Sequence, residues 1–299
     1  MARRKPAKVH GALLVDKPAG MTSHDVVGQL RRRLGERRIG HAGTLDPDAT
    51  GLLVIGVGQA TRLLRFATAS TKTYEADVVF GTETSTLDAA GEVTATHDMS
   101  GLTPTQVTAA ALGLTGVIEQ IPPMVSAIKI DGKRLHELAR EGIEVERAPR
   151  PVTIHRLDVT ELPPDEATGA PVYRAIVECS AGTYIRTLGA DLGTALGGGA
   201  HIRNLRRSAS GAFRVDEPVA GSIDEAPLLP VIDMLRGMDQ LIVDDAQVER
   251  IGHGASISDE LAVGEGPWAI LDEDGVLLAV HERVDGRVKV GVVLPALER

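Results

Sequence analysis

The sequence predicts an α+β fold, and three observations support this prediction. First, amphipathic helices and alternating strands are mixed along the chain, without the regular strand–helix alternation of a doubly wound fold. Second, 43% of the 299 residues are apolar and 24% are charged, which is typical of a globular protein with a sizeable core. Third, the stretch from Trp268 to Leu294 indicates three strands joined by two tight turns. We therefore predict a large domain over residues 1–237 and a small β domain over residues 238–299.

Helices are predicted where apolar residues recur at helical spacing between capping residues. Ser23 precedes one such run, which predicts a helix with Ser23 as N-cap and Gly35 as its stop. Thr103 is followed by proline and, three residues on, by Gln106, so a second helix begins there and is closed by Gly113. The same reasoning predicts helices over Leu135–Glu141, before Gly142, and over Ile185–Leu196, before three consecutive glycines.

Three segments show strand patterns. The run from Gly51 to Gly58 is short, apolar and bounded by glycine, which favours a strand buried on both faces. The segments Thr73–Gly81 and Val172–Cys179 alternate apolar and polar residues, as half-buried strands do.

The charge is distributed unevenly along the chain. The net charge of −9 argues weakly against a nucleic-acid partner. However, residues 216–299 carry 18 acidic and only 6 basic side chains, whereas residues 1–40 carry 10 basic and 3 acidic ones. Residues 201–215 add four arginines and no acidic residue. These two cationic segments could bind a phosphate backbone, although charge alone favours Arg31–Arg33 as the solvated face of a helix.

Simple counts exclude two classes of protein. No apolar run approaches the ~20 residues that a membrane-spanning helix needs, and the apolar stretch after the basic N-terminus is too short for a signal peptide. Cys179 is the only cysteine, so an internal disulfide and a cysteine metal cluster are both excluded. We expect a cytoplasmic protein without a membrane partner.

The segment from Ile39 to Gly51 has the highest density of chemically useful residues, and its motif has two interpretations. It is either a glycine-rich loop with an Asx turn at Asp46, or the Asp46-x-Asp48-x-Thr50 signature of a phosphatase whose aspartate attacks phosphorus. The phosphatase signature normally follows an apolar strand, and here the preceding residues are Gly-His-Ala-Gly-Thr.

Seven blocks of sequence between residues 9 and 215 together resemble the bacterial TruB-type tRNA pseudouridine-55 synthases in order and spacing. The blocks are Gly11–Asp25, Gly40–Pro47, Thr71–Tyr74, Gln120–Lys129, Ala139–Gly142, Cys179–Thr187, and Ala200–His201 with Leu205–Arg207.

This resemblance implies a pseudouridine synthase fold with a mixed, largely antiparallel central sheet and an RNA-binding cleft. Residues 1–237 are then the catalytic domain, residues 124–152 an RNA-gripping insertion, and residues 238–299 a PUA-like domain. The implied substrate is the T-stem-loop of tRNA, whose uridine 55 becomes pseudouridine without a metal or cofactor. We expect a monomer.

The resemblance also assigns roles to individual residues. Asp46 matches the catalytic aspartate, Tyr74 the tyrosine against the target base, and Arg186 the basic partner of the aspartate. Two residues are expected to contact the RNA in specific ways: His41 helps to open the RNA loop, and Leu205 forms an apolar wall of the base pocket. The basic residues Lys17, Lys129 and Arg140 are also expected to bind substrate.

The implied chemistry explains why such residues are needed. Uridine isomerises by breaking the N1–C1′ bond, turning the uracil and joining C5 to C1′, so the nucleotide must be flipped out of the loop. One carboxylate suffices as nucleophile, either at C1′ or at C6 of the ring. Burial raises the pKa of a carboxylate and a neighbouring cation lowers it, so Arg186 would keep Asp46 ionised. The rival hypotheses are a catalytically silent RNA-binding protein and the magnesium-dependent phosphatase, which needs Asp48.

Overall fold

The computed structural model of the protein describes residues 6–126, 129–130, 133–135, 138, 141–143 and 145–295. Five α-helices lie in these ranges: α1 (Ser23–Leu34), α2 (Leu64–Ala69), α3 (Pro104–Gly113), α4 (Ile185–Ala195) and α5 (Asp245–Gly252). The described strands are β1 (Gly11–Lys17), β2 (Ile39–Ala42), β3 (Thr50–Val57), β4 (Lys72–Phe80), β5 (Thr82–Thr84), β6 (Val93–Thr96), β7 (Gly116–Gln120), β8 (Lys129–Ile130), β9 (Lys133–Arg134), β10 (Arg150–Leu162), β11 (Val172–Cys179), β12 (Ala200–Ser210), β13 (Phe213–Arg214), β14 (Ala220–Gly221), β15 (Asp239–Ile242), β16 (Trp268–Leu271), β17 (Leu277–Val284) and β18 (Arg287–Val293). The predicted α+β class is confirmed.

The chain divides into two compact units. Unit 1 consists of Met1–Pro47, Leu52–Thr68 and Gly211–Arg299, and unit 2 of Asp48–Gly51 and Ala69–Ser210. The domain boundary that we place between residues 237 and 238 remains a prediction. Across the described ranges, none of the helices combines the length and apolarity required to cross a membrane.

In unit 1, β1 lies between β14, to which it is parallel, and β3, which also pairs with the antiparallel β2. Successive side chains of a strand point to opposite faces. Accordingly, Leu13 and Val15 of β1 pack with α1 in one buried cluster, whereas Ala12 and Leu14 belong to another. Both faces of these strands are covered, which is why the segment around Leu52–Val57 is continuously apolar rather than alternating.

The N-cap of helix α1 lies one residue before the predicted one. Thr22, not Ser23, is the N-cap: its hydroxyl accepts from the amide of Asp25, whose carboxylate accepts in return from the amide of Thr22. The prediction of Ser23 was wrong because both residues are good caps and the Ser23 hydroxyl is engaged with a distant loop. Gly35 ends the helix with φ +60°, as predicted.

The C-terminal part of unit 1 contains a four-stranded sheet. The meander β16–β17–β18 is antiparallel, as predicted, and the parallel β15 pairs with β16, which the sequence did not indicate. The buried Trp268 belongs to a separate hydrophobic cluster formed by residues of this part alone. Alternate residues such as Ala269 and Val280 share a cluster with Leu14 and Leu52, so this sheet packs against the N-terminal strands of unit 1.

Unit 2 is built on the sheet order β12–β4–β11–β10–β7, with antiparallel pairing throughout. Helices α3 and α4 cover one face, where Val107, Leu188 and Val78 belong to the same buried cluster. The capping box of Thr103 and Gln106 is confirmed, but α3 runs through Gly113 to a C-cap at Leu114. Of the predicted helix Leu135–Glu141, Leu135 and Leu138 are helical and buried, and residues 136–137 and 139–140 lie outside the described ranges.

Strand β12 pairs with two neighbours at once. Arg206 and Arg207 face Glu75 and Tyr74 of β4 in antiparallel register, and they face Thr50 and Gly51 of β3 in parallel register. The parallel contact requires a glycine, because Gly51 has φ +99° and a Cβ there would lie 2.3 Å from the carbonyl oxygen of Arg207. Adjacent strands lie about 5 Å apart, so Tyr74 and Gly51 are held two strand spacings, about 10 Å, from each other.

We predict that Gly51→Ala lowers the free energy of unfolding by about 3 kcal/mol, because the added methyl group strains both the dihedral angle and the contact with Arg207. Denaturant unfolding followed by circular dichroism measures the change. The matched control is Gly101→Ala, where a Cβ would meet nothing within 4 Å. Equal stability of the two variants would contradict the strand pairing described here.

Candidate active site

Asp46 lies in the loop between β2 and β3, and the residues on both sides of it are anchored in unit 1. Before it, the buried Ser23 hydroxyl accepts from the amide of Leu45 at 2.9 Å and donates to its carbonyl oxygen at 3.2 Å. After it, the carbonyl oxygen of Pro47 accepts from the amide of Met21 at 3.3 Å. The Asp46 side chain itself is half-buried. The backbone that carries this carboxylate is therefore fixed to the start of α1 on either side.

Lys17 forms the second part of this anchor. Its side chain is fully buried at the end of β1, and its ammonium donates to the carbonyl oxygens of Pro18 at 2.8 Å, Met21 at 2.6 Å and Pro47 at 2.9 Å. A buried cation is tolerated only when its donors are satisfied, and here backbone oxygens satisfy them. These bonds hold the loop around Asp46, and the predicted binding of substrate by Lys17 remains a prediction.

His41 lies on β2, three residues before the loop residue Thr44. Its half-buried ring meets the exposed ring of His24 edge-on, with centroids 6.0 Å apart and an interplanar angle of 80°. His24 is on the first turn of α1, which is also the turn that anchors the Asp46 loop. The predicted role of His41 in opening the RNA loop remains a prediction.

Tyr74 lies on β4 in unit 2, half-buried against the core cluster that α3 and α4 cover. Leu205, predicted as a wall of the base pocket, packs against the same cluster. Lys72 is two residues before Tyr74 and therefore on the same face. Burial, together with the charge of Arg207, lowers the pKa of Lys72 to about 8. Burial also raises the pKa of Cys179, which pairs with Lys72 across the strands, to about 11.

Arg186 is in the first turn of α4 and is only 4% exposed. Its guanidinium donates to the carbonyl oxygens of Thr86 at 2.9 Å and Val125 at 2.7 Å. A carboxylate oxygen of Asp88 lies 3.6 Å from its Nε. Sequence reasoning did not single out Asp88, because nothing in the segment Ser85–Ala90 resembles a recognised motif.

The start of α4 is held by a side chain from another strand. Tyr184 is its N-cap and provides no side-chain cap bond. Instead, the buried Gln120 of β7 accepts from the amide of Tyr184 at 3.0 Å and donates to its carbonyl oxygen at 3.3 Å. This bond pair replaces a local cap and fixes the turn that carries Arg186.

The structure reduces the predicted cationic surface of residues 201–215. Arg203 forms an ion pair with Asp165, Arg214 pairs with Asp216, and Arg207 is buried. The positive charge available to a phosphate backbone from this segment is therefore smaller than the sequence count indicates.

The arginines of α1 are exposed, as predicted from charge alone. Two of them are nevertheless engaged with the backbone of unit 1. Arg31 donates to the carbonyl oxygen of Ile39 at 3.2 Å, and Arg33 to those of Ile223 and Ala226 at 2.7 and 2.8 Å. Their guanidinium groups are therefore oriented as well as solvated.

Three further predictions about the site concern Arg140, Lys129 and the pairing of Asp46 with Arg186. Arg140 lies outside the described residues, and of Lys129 only the backbone is described, in the β8–β9 hairpin. Asp46 belongs to unit 1, and Tyr74 and Arg186 belong to unit 2, so the predicted pairing of Asp46 with Arg186 remains a prediction. The described part of the chain contains no group of three or more His, Cys, Asp or Glu side chains placed to hold a metal ion.

Comparison with known protein families defines the class of protein that carries these residues. A sequence profile described as the TruB family pseudouridylate synthase N-terminal domain matches residues 31–185. A second profile, the tRNA pseudouridylate synthase B C-terminal domain, matches residues 186–224. The fold is thus that of a pseudouridylate synthase. The chain belongs to the TruB family, and the resemblance seen in its seven sequence blocks is confirmed.

Similar proteins extend over nearly the whole chain. Proteins named tRNA pseudouridine synthase B are 43% identical in Arthrobacter sp. (strain FB24), over 97% of this chain and 98% of the relative, and 44% identical in Mycobacterium sp. (strain KMS), over 95% and 96%. Among solved structures, a Cbf5-Nop10-Gar1 complex contains a chain with a TM-score of 0.68 and 23% identity, covering 96% of this chain and 84% of that one. An H/ACA RNP bound to a substrate RNA has a chain with a TM-score of 0.67 and 21% identity, covering 95% and 85%. The structural similarity confirms the fold.

We predict that Lys17→Met lowers the free energy of unfolding by about 3 kcal/mol, because three carbonyl oxygens lose their buried donor. Thermal and denaturant unfolding measure the effect. Lys289→Met is the control, since its ammonium pairs with Asp285 at the surface and such pairs contribute little. A Lys17 variant as stable as the control would show that the ammonium does not anchor the loop.

Proposed function

We propose that this protein is an enzyme that isomerises a uridine of tRNA to pseudouridine, and that its target is uridine 55 in the T-loop. Membership of the TruB family and the names of its relatives support the reaction and the class of RNA. The seven sequence blocks, which follow the pattern of pseudouridine-55 synthases, support the position.

The observation that carries this proposal is the double anchor of the Asp46 loop. Ser23 fixes the residue before Asp46, and Lys17 with the amide of Met21 fixes the residue after it. A nucleophile must be held within a fraction of an ångström of its productive position, because misplacement by about 1 Å can cost a hundredfold in rate. The two residues that flank this carboxylate make four hydrogen bonds, which supply the fixation that a nucleophile requires.

In the proposed reaction, the Asp46 carboxylate forms a bond either to C1′ or to C6 of the flipped uridine. In the first route the N1–C1′ bond breaks as the ester forms, and the uracil leaves as an anion. In the second, addition at C6 precedes the cleavage. The uracil then turns, C5 bonds to C1′, the aspartate is released, the C5 proton is lost and N1 gains one. Atoms and electrons balance, so the isomerisation itself needs no oxidant, reductant or cofactor.

Arg186 and Tyr74 complete the proposed catalytic group. A guanidinium favours the ionised form of a neighbouring carboxylate, and the buried Arg186 would supply one to Asp46. Its two bonds to backbone carbonyl oxygens orient it, and a carboxylate oxygen of Asp88 lies 3.6 Å from its Nε. Tyr74 would hold the face of the extruded base and assist removal of the C5 proton through its hydroxyl.

RNA binding must supply the few kcal/mol that extrusion of the nucleotide costs. We assign this role to His41, Leu205, Lys129 and Arg140, together with the basic residues of segment 1–40. The T-stem-loop is the proposed partner, because a base in a folded loop is inaccessible to Asp46 until it is flipped out.

The first experiment compares Asp46→Asn with Asp48→Asn, a control two residues away in the same loop. Both variants are incubated with an unmodified T-stem-loop, and pseudouridine is detected chemically. We expect Asp46→Asn to bind the RNA normally and to lose activity by roughly 10³-fold or more, since no nucleophile remains. Asp48→Asn should stay within a few-fold of the parent.

The same experiment separates the rival functions. Pseudouridine formed by Asp46→Asn at the parent rate would refute the role of nucleophile. A parent protein that binds the stem-loop but leaves its uridine unchanged would be a silent RNA-binding protein. A parent protein that forms no pseudouridine but releases phosphate from a phosphoester, in a reaction lost with Asp48→Asn and in EDTA, would instead favour the magnesium-dependent phosphatase chemistry, which family membership disfavours.

A further inference from the structure

A bulge interrupts β12 immediately before the residues that face Tyr74 and Gly51. The pairing of β12 with β4 shifts register between Arg203 and Arg206, and a second irregularity follows Arg207. Asn204 is the first residue of the bulge and has φ +55°, a left-handed conformation that asparagine tolerates better than most residues. It is also the only asparagine in the sequence.

The side chain of Asn204 ties the bulge to the two neighbouring strands. Its Nδ2 donates to a carboxylate oxygen of Asp77 on β4 at 2.7 Å. The other carboxylate oxygen of Asp77 accepts from Nε of Arg174 on β11. Asp77 is only 4% exposed, and a buried carboxylate persists only when it is hydrogen-bonded and paired. One carboxylate therefore joins β12, β4 and β11 at the height of the bulge.

Asn204, Asp77 and Arg174 contact one another on the face of the sheet opposite to Tyr74. Ala76 and Val78 of β4 point into the cluster that α4 covers, so Asp77 between them points away from it. Leu205, the residue after Asn204, packs against the same cluster as Tyr74. The hydrogen bond of Asn204 to Asp77 on one face of the sheet thus places Leu205 on the other face.

The bulge also sets the register in which the next two residues, Arg206 and Arg207, pair with their neighbours. Arg206 and Arg207 are the residues of β12 that face both β4 and the start of β3. A slip of one residue would exchange the two faces of the strand. Leu205 would leave the cluster, and Tyr74 would no longer face Arg207.

We propose that Asn204, Asp77 and Arg174 are positioning residues for the isomerisation: they hold the β12 bulge and so place Leu205 and the Arg206–Arg207 step relative to Tyr74. This inference rests on the proposed function, since it concerns the base pocket of the same site. None of the three residues touches the substrate. Their contribution therefore affects kcat through the geometry of the pocket, in which Leu205 contacts only the target base, and leaves His41, Lys129 and Arg140, which bind the rest of the RNA, in place.

The test uses the full chain with the substitution Asn204→Asp and the swap Asn204→Asp with Asp77→Asn. The single substitution opposes two carboxylates at the contact, whereas the swap restores an amide–carboxylate hydrogen bond and leaves an amide oxygen to accept from Arg174. Pseudouridine formation on an unmodified T-stem-loop is measured well below the unfolding temperature. We expect kcat to fall about tenfold in the single variant with KM within twofold of the parent, and to recover to within twofold in the swap.

Asp158→Ala, which removes a surface ion pair with Arg156 on β10, is the control and should leave kcat unchanged.

A merely structural role would lower the unfolding temperature of Asn204→Asp and leave the kcat of the folded protein at the parent value, and that result would overturn the proposal. Failure of the swap to recover kcat would overturn it as well. If the single variant does not fold, Asn204→Gly, which accepts the left-handed backbone but lacks the amide, takes its place with the same expected direction.

Hydrogen exchange distinguishes failure of this inference from failure of the proposed function. The amides of residues 203–208 should exchange faster in Asn204→Asp and return to the parent rate in the swap, whereas those of β10 should not change. If the parent makes no pseudouridine, the proposed function fails and exchange alone decides whether the three residues hold the bulge. Unchanged exchange in the single variant would overturn the inference whatever the activity.

Discussion

The double pairing of β12 is the constraint on which the proposed site depends. Because Arg207 faces Tyr74 on one side and Gly51 on the other, the strand holds the tyrosine a fixed distance from Gly51. The contact is close enough that position 51 must be glycine. Hydrogen bonds between strands fix their spacing to within tenths of an ångström, so Tyr74 has a defined position within unit 2.

Backbone carbonyl oxygens satisfy two of the buried cations. Lys17 and Arg186 both donate to carbonyl oxygens of loops, and a carbonyl orients a cation without cancelling its charge. For Lys17 this arrangement fixes the Asp46 loop. For Arg186 it fixes the direction of the guanidinium, beside which the carboxylate of Asp88 also lies.

The parts of the fold that depend on local pattern could be predicted from the sequence. The apolar run of β3, the alternation of β4 and β11, and the capping box at Thr103 each follow from residues close in sequence. What was missed depends on distant partners. Thr22 displaced Ser23 as the cap of α1 because the Ser23 hydroxyl binds Leu45, and β12 was not recognised because its bulge interrupts the alternation. The motif identified Asp46, but its anchors, the ion pairs of Arg203 and Arg214, and the contact of Asp88 with Arg186 appear only when the chain is folded.

The most direct test of the account is a crystal structure of this protein with a T-stem-loop that carries 5-fluorouridine at the target position, where fluorine replaces the proton that must leave. The account predicts an extruded base lying against Tyr74, with the Asp46 carboxylate bonded to, or within about 3.5 Å of, C1′ or C6, and with Arg207 still paired to both neighbouring strands. A base bound away from Tyr74, or an Asp46 carboxylate directed away from the nucleoside, would contradict it.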